Sequence, residues 1–306
     1  MRAFAITDPG RPPVVVQVPD PALGPGEILV RVAGSSVNGF DLAVAAGLLE
    51  GMMEHRYPVV LGKDYAGTVE AVGDGVTRFA KGERVFGVVM KPYLGDGGMG
   101  ELVVVGQDFA VTTVPDDLDL ATAGALGLAG SAAADAIDAA AILPGQTVLI
   151  SGATGGVGSI AVQYAEHAGA TVIATAQPGA EAALVRDLAS VQIVDYTADL
   201  VEQVRAIAPN GVDAVIHLAG DPAALTAVLA EGGHFASTLG FGPNQHLSAI
   251  AVMANPAAAT LDRVAADVAA GRLRVPVSRT YELDDAAAAF NDFGAGSLGK
   301  LAVSVA

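Results

Sequence analysis

The apolar positions of the first 118 residues recur in short runs, each bounded by glycine, proline or another turn residue. Short apolar runs between turn residues are typical of β-strands. We therefore predict a small β-rich domain with barrel character over residues 1–118. The runs are PVVVQV at 13–18, EILVRVAG at 27–34, AGTVEAVG at 66–73, RVFGVVM at 84–90 and ELVVVG at 101–106.

A different pattern begins near Asp119. The run QTVLISGA at 146–153 indicates a buried strand, and the apolar residues after it recur at i, i+3 and i+4, as on one face of a helix. Strand-like and helix-like segments then alternate as far as Pro256. Repeated strand–helix–strand units predict a parallel sheet with helices on both faces. We predict that this α/β domain covers residues 119–255. In residues 256–306 the alternation ends, and a helix, the run RVPVSRTYEL, a second helix and a final strand follow.

The stretch ISGATGGVGS at 150–159 lies where the first strand of this domain meets its first helix. Residues Ala153 to Gly158 fit the pattern A-x-G-x-x-G. In this context Gly155 allows a pyrophosphate to approach the backbone, Gly158 allows the helix to pack closely on the sheet, and the helix N-terminus attracts the anion. We predict a dinucleotide site; the alternative is a tight strand–helix turn without a ligand.

The end of the second strand bears on the choice of nucleotide. A carboxylate there accepts a hydrogen bond from the ribose 2′-hydroxyl of NAD. The strand ends in TVIATAQPG, so neither Ala176 nor Gln177 is acidic, and this favours NADP(H). No lysine or arginine follows until Arg186. Tyr196, at the end of the third strand, either packs near the adenosine or covers the core.

Other candidate contacts follow from the carboxyl ends of parallel strands, where ligands collect. The strand DAVIHLAG at 213–220 ends at Leu218 and Ala219, and the next strand ends at Leu239 and Gly240. Lys300 begins the last strand and either contacts the cofactor or substrate or lies on the surface. The predicted cofactor-binding residues are Thr154, Gly155, Gly156, Val157, Gly158, Thr175, Ala176, Gln177, Tyr196, Leu218, Ala219, Leu239, Gly240 and Lys300.

Composition excludes several classes of function. Hydrophobic residues make up 52% of the 306 residues, yet no uninterrupted apolar run is long enough to span a bilayer. The net charge of −17 makes nucleic acid an improbable partner, because phosphate binding needs a basic surface. There is no cysteine, and the five histidines have no ligand spacing, so we expect no metal site. We expect a soluble, cytoplasmic protein.

Four ordered segments resemble one known family: PGEILVRVAGSSVNGFD at 25–41, LGKDYAGTVEAVGDGVTRFAKGERVFG at 61–87, LPGQTVLISGATGGVGSIAVQYAEHAGATVIATA at 143–176, and GSLGKLAVSV at 296–305. They are similar to the zinc-independent, zeta-crystallin-like quinone oxidoreductases of the medium-chain dehydrogenase/reductase superfamily. The resemblance implies an α/β protein with a GroES-like β-barrel domain, completed by the C-terminal segment, and a doubly wound Rossmann domain. It also implies hydride transfer from NADPH to a quinone or related conjugated carbonyl, and a homodimer.

The resemblance also suggests candidate catalytic residues. Zinc-dependent relatives carry a histidine in a G-H-E segment that here reads Gly62-Lys63-Asp64. Within the motif Asn-x-x-Asp, Asn38 hydrogen-bonds a quinone carbonyl or the nicotinamide ribose, or is a turn residue. Asp41 orients Asn38, relays a proton, or caps a helix that starts at Leu42. We expect Asp64 to have a structural hydrogen-bonding role.

Related double-bond reductases carry a tyrosine proton donor shortly after Asn-x-x-Asp. Here that region offers Leu48 and Leu49, and then Tyr57 after an apparent insertion. Asn38, Asp41 and Tyr57 are therefore the catalytic candidates. The main hypothesis is a zinc-independent, NADPH-dependent quinone oxidoreductase. The alternatives are an NADPH-dependent alkene reductase for a dedicated metabolite and a non-catalytic NADPH-binding protein.

Overall fold

The computed structural model of the protein describes residues 1–305, and these divide into two compact units. Unit 1 contains residues 1–128, residues 256–270 and the chain from Val277 onward; unit 2 contains residues 129–255 and 271–276. Within residues 1–305, no helix combines the length and the apolar character that crossing a bilayer requires.

The first stretch of unit 1 is mostly β-structure, as its short apolar runs predict. Its strands form one large sheet, a three-stranded sheet and a two-stranded ribbon. The elements are β1 (Arg2–Ile6), β2 (Val14–Gln17), β3 (Glu27–Ser36), α1 (Gly39–Ala45), β4 (Glu54–His55), β5 (Val59–Val60), β6 (Asp64–Val72), β7 (Arg84–Val88), β8 (Tyr93–Leu94), β9 (Leu102–Gly106), β10 (Val111–Thr113) and α2 (Leu120–Ala123).

Unit 2 follows the predicted alternation of strands and helices. After α3 (Gly127–Ala140), which begins in unit 1, come β11 (Thr147–Ser151), α4 (Gly156–His167), β12 (Thr171–Thr175), α5 (Ala180–Leu188), β13 (Val191–Val194), α6 (Leu200–Ile207), β14 (Val212–His217), α7 (Pro222–Thr226), β15 (Leu229–Ser237) and β16 (Ala249–Ala251). Every pairing in this sheet is parallel, and the order is β13-β12-β11-β14-β15-β16. This is the doubly wound Rossmann order, with its switch point between β11 and β14. The predicted α/β class is confirmed.

The chain then returns to unit 1 through α8 (Ala258–Ala269), β17 (Val277–Glu282), a short 3₁₀ turn at Leu283–Asp285, α9 (Ala286–Gly294) and β18 (Lys300–Ser304). Strand β18 pairs antiparallel with β3, so that Ala302 faces Ser36. The Val37 N–H also donates to the Leu301 carbonyl at 3.0 Å. This register brings the start of the last strand beside the Asn-x-x-Asp motif.

The two units have separate apolar interiors. In unit 1, side chains of β3, β6 and β7 pack with Phe4 and with Phe290 of α9. In unit 2, Leu149, Ile173 and Phe235 belong to a cluster on the parallel sheet. The cluster of unit 2 follows from strands such as β11 and β12, whose central residues are all apolar, as is typical of parallel strands that are covered on both faces.

Candidate functional site

The glycine-rich turn of unit 2 joins β11 to α4, and two of its glycines have different roles. A Cβ on Gly158 would lie 2.1 Å from the Gly152 carbonyl oxygen and 2.7 Å from the Ala153 Cα, so no larger residue fits there. A Cβ on Gly155 would meet only the Gly152 oxygen, at 3.5 Å. Gly158 therefore allows the helix to pack against the turn, whereas Gly155 leaves an open backbone surface at the helix N-terminus.

Side chains at the strand ends hold this turn in place. Thr175, the last residue of β12, accepts a hydrogen bond from the Gly152 N–H at 2.9 Å. The Ser151 hydroxyl donates to the Ile216 carbonyl at 3.3 Å and accepts from the Leu218 N–H at 3.3 Å. The carboxyl ends of β11, β12 and β14 are thus joined where a ligand of a Rossmann sheet would bind.

A cavity of about 560 Å³ lies over these strand ends within unit 2. Four predicted cofactor residues line it: Thr154, Thr175, Tyr196 and Ala219. Asp199 and Asp221, which were not predicted as site residues, also line it and cap α6 and α7 with their side chains. An aspartate just before an apolar helical run was the available signal for both. Among the cavity-lining residues in the described chain there is no lysine or arginine.

The other predicted cofactor-binding residues of unit 2 do not line this cavity. Gly156, Val157 and Gly158 form the first turn of α4, and Leu218 follows β14. Leu239 and Gly240 follow β15 and are exposed. The side chain of Ala176 is completely buried, whereas Gln177 is exposed. Gln177 is therefore the residue of this strand end that faces solvent.

Glu181, which sequence analysis did not single out, lies next to Gln177 and Tyr196. Its carboxylate accepts hydrogen bonds from the Gln177 N–H at 2.8 Å and from the Tyr196 hydroxyl at 3.1 Å. Burial and the Glu181 carboxylate raise the pKa of Tyr196. Glu181 was not found because it belongs to the first turn of α5, several residues beyond the position where an acid was sought.

A buried polar cluster in unit 1 contains Asn38, Asp64 and Lys300, and none of the three is more than 8% exposed. The Lys300 ammonium donates to Asn38 Oδ1 at 2.7 Å and lies 3.4 Å from Asp64 Oδ2. Asn38 Nδ2 donates to the same Asp64 oxygen at 2.9 Å, and the Ser36 hydroxyl donates to it at 2.5 Å. Because both protons of Asn38 Nδ2 have acceptors, the second being the Ser36 carbonyl at 3.4 Å, a hydrogen bond from this amide to a substrate carbonyl requires the exchange of an existing one.

The structure excludes one of the two alternatives considered for Lys300. Its side chain is 3% exposed, so the surface alternative is wrong. Its ammonium has three partners inside unit 1, the third being the Val37 carbonyl at 3.3 Å. Asp64 has the structural hydrogen-bonding role expected of it, and its Oδ1 also accepts from the Leu128 N–H at 2.7 Å. A cofactor contact by Lys300 stays a prediction.

Asp41 lies one turn into α1, which corrects the predicted helix start. The helix begins at Gly39 with Asn38 as its N-cap, three residues before Leu42. Asp41 accepts hydrogen bonds from the Asn38 N–H at 2.9 Å and from the Lys63 N–H at 3.0 Å. Burial, and secondarily the nearby Asp64 carboxylate, raise the pKa of Asp41 to about 6.

Lys63 occupies the position where zinc-dependent relatives carry histidine. Its ammonium donates to the Val89 carbonyl at 2.6 Å and lies 4.6 Å from the centre of the Phe40 ring. Burial lowers its pKa, although the Asp41 and Asp64 carboxylates act in the opposite direction. This lysine is thus a partly buried cation next to the Asn38 cluster.

Tyr57, the third catalytic candidate, lines a different cavity of unit 1, of about 470 Å³, together with Arg11, Glu50 and His55. Its ring stacks on His55, with 6.0 Å between the ring centres. The lining of that cavity includes neither Asn38 nor Asp41. The structure therefore brings Asn38 and Asp41 together but not Tyr57, and its catalytic role stays a prediction.

Comparison with family models places both parts of the chain in one superfamily. Residues 24–116 match the alcohol dehydrogenase GroES-like domain, and residues 188–303 match the zinc-binding dehydrogenase family. The quinone oxidoreductase of Coxiella burnetii superposes with a TM-score of 0.88 and 26% identity, over 100% of this chain and 99% of that one. The chain belongs to the zinc-independent, quinone oxidoreductase-like group of the medium-chain dehydrogenase/reductase superfamily. The predicted GroES-like and Rossmann architecture is thereby confirmed.

Two other solved members of this superfamily differ in cofactor. A mycobacterial protein solved in complex with NADPH has a TM-score of 0.85 and 27% identity, over 99% of each chain. An NAD-dependent alcohol dehydrogenase has a TM-score of 0.89 and 27% identity, over 100% of each chain. Solved structures similar to this chain thus include both an NADPH-binding protein and an NAD-dependent enzyme.

Relatives by sequence include single reductases and parts of much larger proteins. The chain is 32% identical over 211 residues to a chloroplast envelope quinone oxidoreductase homologue of Arabidopsis thaliana, a match over 67% of this chain and 63% of that protein. It is 34% identical over 310 residues to a mycocerosic acid synthase-like polyketide synthase of Mycolicibacterium smegmatis, over 92% of this chain. The chain spans only 14% of that synthase.

Proposed function

We propose that this medium-chain reductase transfers hydride from NADPH to a quinone or another conjugated carbonyl compound, without zinc. The cavity of unit 2 carries the proposal, since it lies over the glycine-rich turn at the switch point of a Rossmann sheet. The quinone oxidoreductases of Coxiella burnetii and Arabidopsis thaliana support this choice of acceptor.

The residues of unit 2 fit a dinucleotide. The open backbone at Gly155 and the free N–H groups at the start of α4 would hold the pyrophosphate, because a helix N-terminus attracts anions. Thr175 and Ser151 keep this turn in position through their hydrogen bonds. When bound, a reduced nicotinamide supplies the hydride.

The choice of a conjugated acceptor follows from the sequence of unit 1. The chain lacks cysteine, and Lys63 replaces the histidine of zinc-dependent relatives. A ketone that receives hydride develops a localised negative charge, which a Lewis acid commonly stabilises. A quinone or enone delocalises that charge, so orientation of the two reactants becomes the main requirement.

NADPH is the proposed cofactor because neither Ala176 nor Gln177 offers a carboxylate to a ribose 2′-hydroxyl. The NADPH complex of the mycobacterial relative supports this choice. The proposal also includes the homodimer that the resemblance implies and the cytoplasmic location that the composition leads us to expect. Light scattering on the purified chain would test the homodimer, and a monomer at all concentrations would remove it.

A second candidate is reduction of the carbon–carbon double bond of an enone or enoyl compound. The polyketide synthase of Mycolicibacterium smegmatis favours it, since its similarity extends over 92% of this chain. In that case the proton donor is the next question, and Tyr57 is the first residue to replace.

Steady-state oxidation of NADPH, with NADH alongside, against a simple benzoquinone and a simple enone tests these proposals. Turnover of the quinone to quinol supports the main proposal. Formation of a saturated carbonyl from the enone alone supports the alkene reductase. If NADPH binds but neither acceptor reacts, the main proposal is wrong, and either a reductase for a dedicated metabolite or a non-catalytic NADPH-binding protein takes its place.

A further inference from the structure

Three side chains form a closed hydrogen-bonded network at the rim of the unit 2 cavity; we call Gln177, Glu181 and Tyr196 the rim network. Glu181 accepts from the Gln177 N–H at 2.8 Å and from the Tyr196 hydroxyl at 3.1 Å. Gln177 Nε2 donates to the Tyr196 oxygen at 3.1 Å. Tyr196 also lines the cavity and is 47% exposed, so the network is accessible to a bound ligand.

The rim network lies where nucleotide sheets distinguish NAD from NADP. The residues that follow the second strand of a Rossmann sheet meet the adenosine ribose, through a carboxylate for a 2′-hydroxyl or through an arginine for a 2′-phosphate. Gln177 lies two residues beyond β12, and Tyr196 lies two residues beyond β13. Glu181 therefore supplies a carboxylate to a region in which the sequence at Ala176 indicated none.

Hydrogen-bond polarity in the network is unfavourable to a phosphate. A tyrosine hydroxyl has one proton, and Tyr196 donates it to Glu181. Its oxygen accepts from Gln177 and retains acceptor capacity. A ribose 2′-hydroxyl can donate to that oxygen, whereas a 2′-phosphate, which carries mainly acceptor oxygens at neutral pH, cannot.

The charges around the cavity also disfavour a 2′-phosphate. The cavity lining includes the carboxylates Asp199 and Asp221 and, among the described residues, no cation. Arg186 follows Glu181 by five positions on α5, and positions i and i+5 do not share a helix face. A doubly charged 2′-phosphate would thus meet Glu181 without a compensating cation from the lining.

We propose that Glu181 limits the NADPH selectivity of this chain: it accepts the Tyr196 proton and places a negative charge beside the 2′ position, so that NADPH, the proposed cofactor, binds no more than about threefold more tightly than NADH. This inference rests on the proposed function, because it needs a nucleotide in the unit 2 cavity. Glu181 acts directly on the 2′ substituent and has no part in the hydride transfer.

The test is isothermal titration calorimetry of the full chain with 2′,5′-ADP and with 5′-AMP, which differ by the 2′-phosphate and need no hydride acceptor. We expect the two dissociation constants of the wild type to agree within about threefold. Glu181→Gln keeps an acceptor for Tyr196 but removes the charge, and should tighten 2′,5′-ADP about tenfold, equivalent to about 1.4 kcal/mol. The affinity for 5′-AMP should change less than twofold. The affinity for NADPH should change as that for 2′,5′-ADP does, and the affinity for NADH as that for 5′-AMP does.

Glu231→Gln is the matched control, since it removes the same charge from the same unit near the amino end of β15, opposite the carboxyl ends. It should leave the ratio of the two dissociation constants unchanged. If both fragments bind and Glu181→Gln leaves the ratio unaltered, the inference is wrong while the proposed function stands. If no fragment and neither cofactor binds, both are wrong.

Discussion

Lys300 is a charged residue at the start of a strand, yet only 3% of it is exposed. Its pairing with Asp64 at 3.4 Å places two opposite charges in the interior of unit 1. Such a pair adds little net stability compared with apolar residues, but removal of one partner leaves an uncompensated buried charge. The pair therefore fixes the arrangement around Asn38 more than it stabilises the fold.

Replacement of Lys300 by methionine should lower the free energy of unfolding by about 3–5 kcal/mol, because the buried Asp64 carboxylate then loses its ion-pair partner. Urea denaturation measures this. Lys81→Met, at an exposed position of the same unit, should cost less than about 0.5 kcal/mol. Addition of Asp64→Asn to Lys300→Met should recover part of the loss; strictly additive losses would contradict the role of the ion pair.

Asp41 makes the stability of unit 1 depend on pH. Its pKa is raised from 3.8 to about 6 in the folded chain, so between these values the folded state holds a proton that the unfolded state has lost. Stability from this group is therefore greatest below about pH 4 and falls as the pH rises through about 6, by about 3 kcal/mol in total.

Asp41→Asn is uncharged at every pH and should remove this dependence. We expect the unfolding free energy of the wild type, minus that of the variant, to fall by about 2.4 kcal/mol between about pH 4 and pH 7. Chemical denaturation at several pH values measures the difference. Parallel pH profiles for the two proteins would show that Asp41 titrates normally in the folded chain.

At the scale of elements, two glycines of the turn between β11 and α4 have different roles: Gly158 allows close packing, and Gly155 leaves the backbone open to a ligand. A Cβ at Gly158 would have backbone atoms within 3 Å, whereas a Cβ at Gly155 would have one distant neighbour. Gly155 also has φ −78° and ψ 176°, which any residue adopts. The two glycines of one motif thus allow two matched substitutions with opposite expected effects.

Gly158→Ala should destabilise the chain by about 2–3 kcal/mol, since the new methyl group meets backbone that cannot move aside. Gly155→Ala should change stability by less than about 1 kcal/mol but weaken NADPH binding about tenfold, because the methyl group occupies the approach of the pyrophosphate. Thermal unfolding and calorimetry measure the two effects. Equal loss of stability in both variants would contradict this division.

Most elements could be predicted from their apolar period, but element ends were less accessible. The start of α1 lies at Gly39 rather than Leu42, because Asn38 and not Asp41 is the N-cap. Both residue types favour an N-cap, so the sequence offered two starts, and the Asn38–Asp41 contact that distinguishes them depends on side-chain geometry. Asp199 and Asp221 line the cavity because α6 and α7 begin at its edge. Their capping role was readable in the sequence; their position over the cavity was not.

At the scale of the whole molecule, the net charge of −17 is the dominant electrostatic feature. A large net charge of one sign destabilises the compact state through self-repulsion. Salt screens this repulsion, since the Debye length falls from about 30 Å to about 3 Å between about 0.01 M and 1 M.

The melting temperature at pH 7 should therefore rise by several degrees when NaCl is raised from about 0.01 M to about 0.3 M. The same titration near pH 4.4, the isoelectric point of the sequence, is the control, because the net charge there is close to zero and the salt effect should be small. Differential scanning calorimetry measures both. An equal shift at the two pH values would assign the effect to something other than net charge.

The sequence by itself determined the Rossmann unit, the β-rich unit and the glycine-rich turn, because apolar period and backbone freedom are local properties of the chain. It also indicated Asn38 and Asp41 through a short motif. Only the tertiary structure decided that Lys300 joins Asn38, more than 250 positions away, and that Glu181 bonds Tyr196 across two strand ends. Such partnerships depend on sheet pairing and helix position, which bring together residues whose separation in sequence carries no signal.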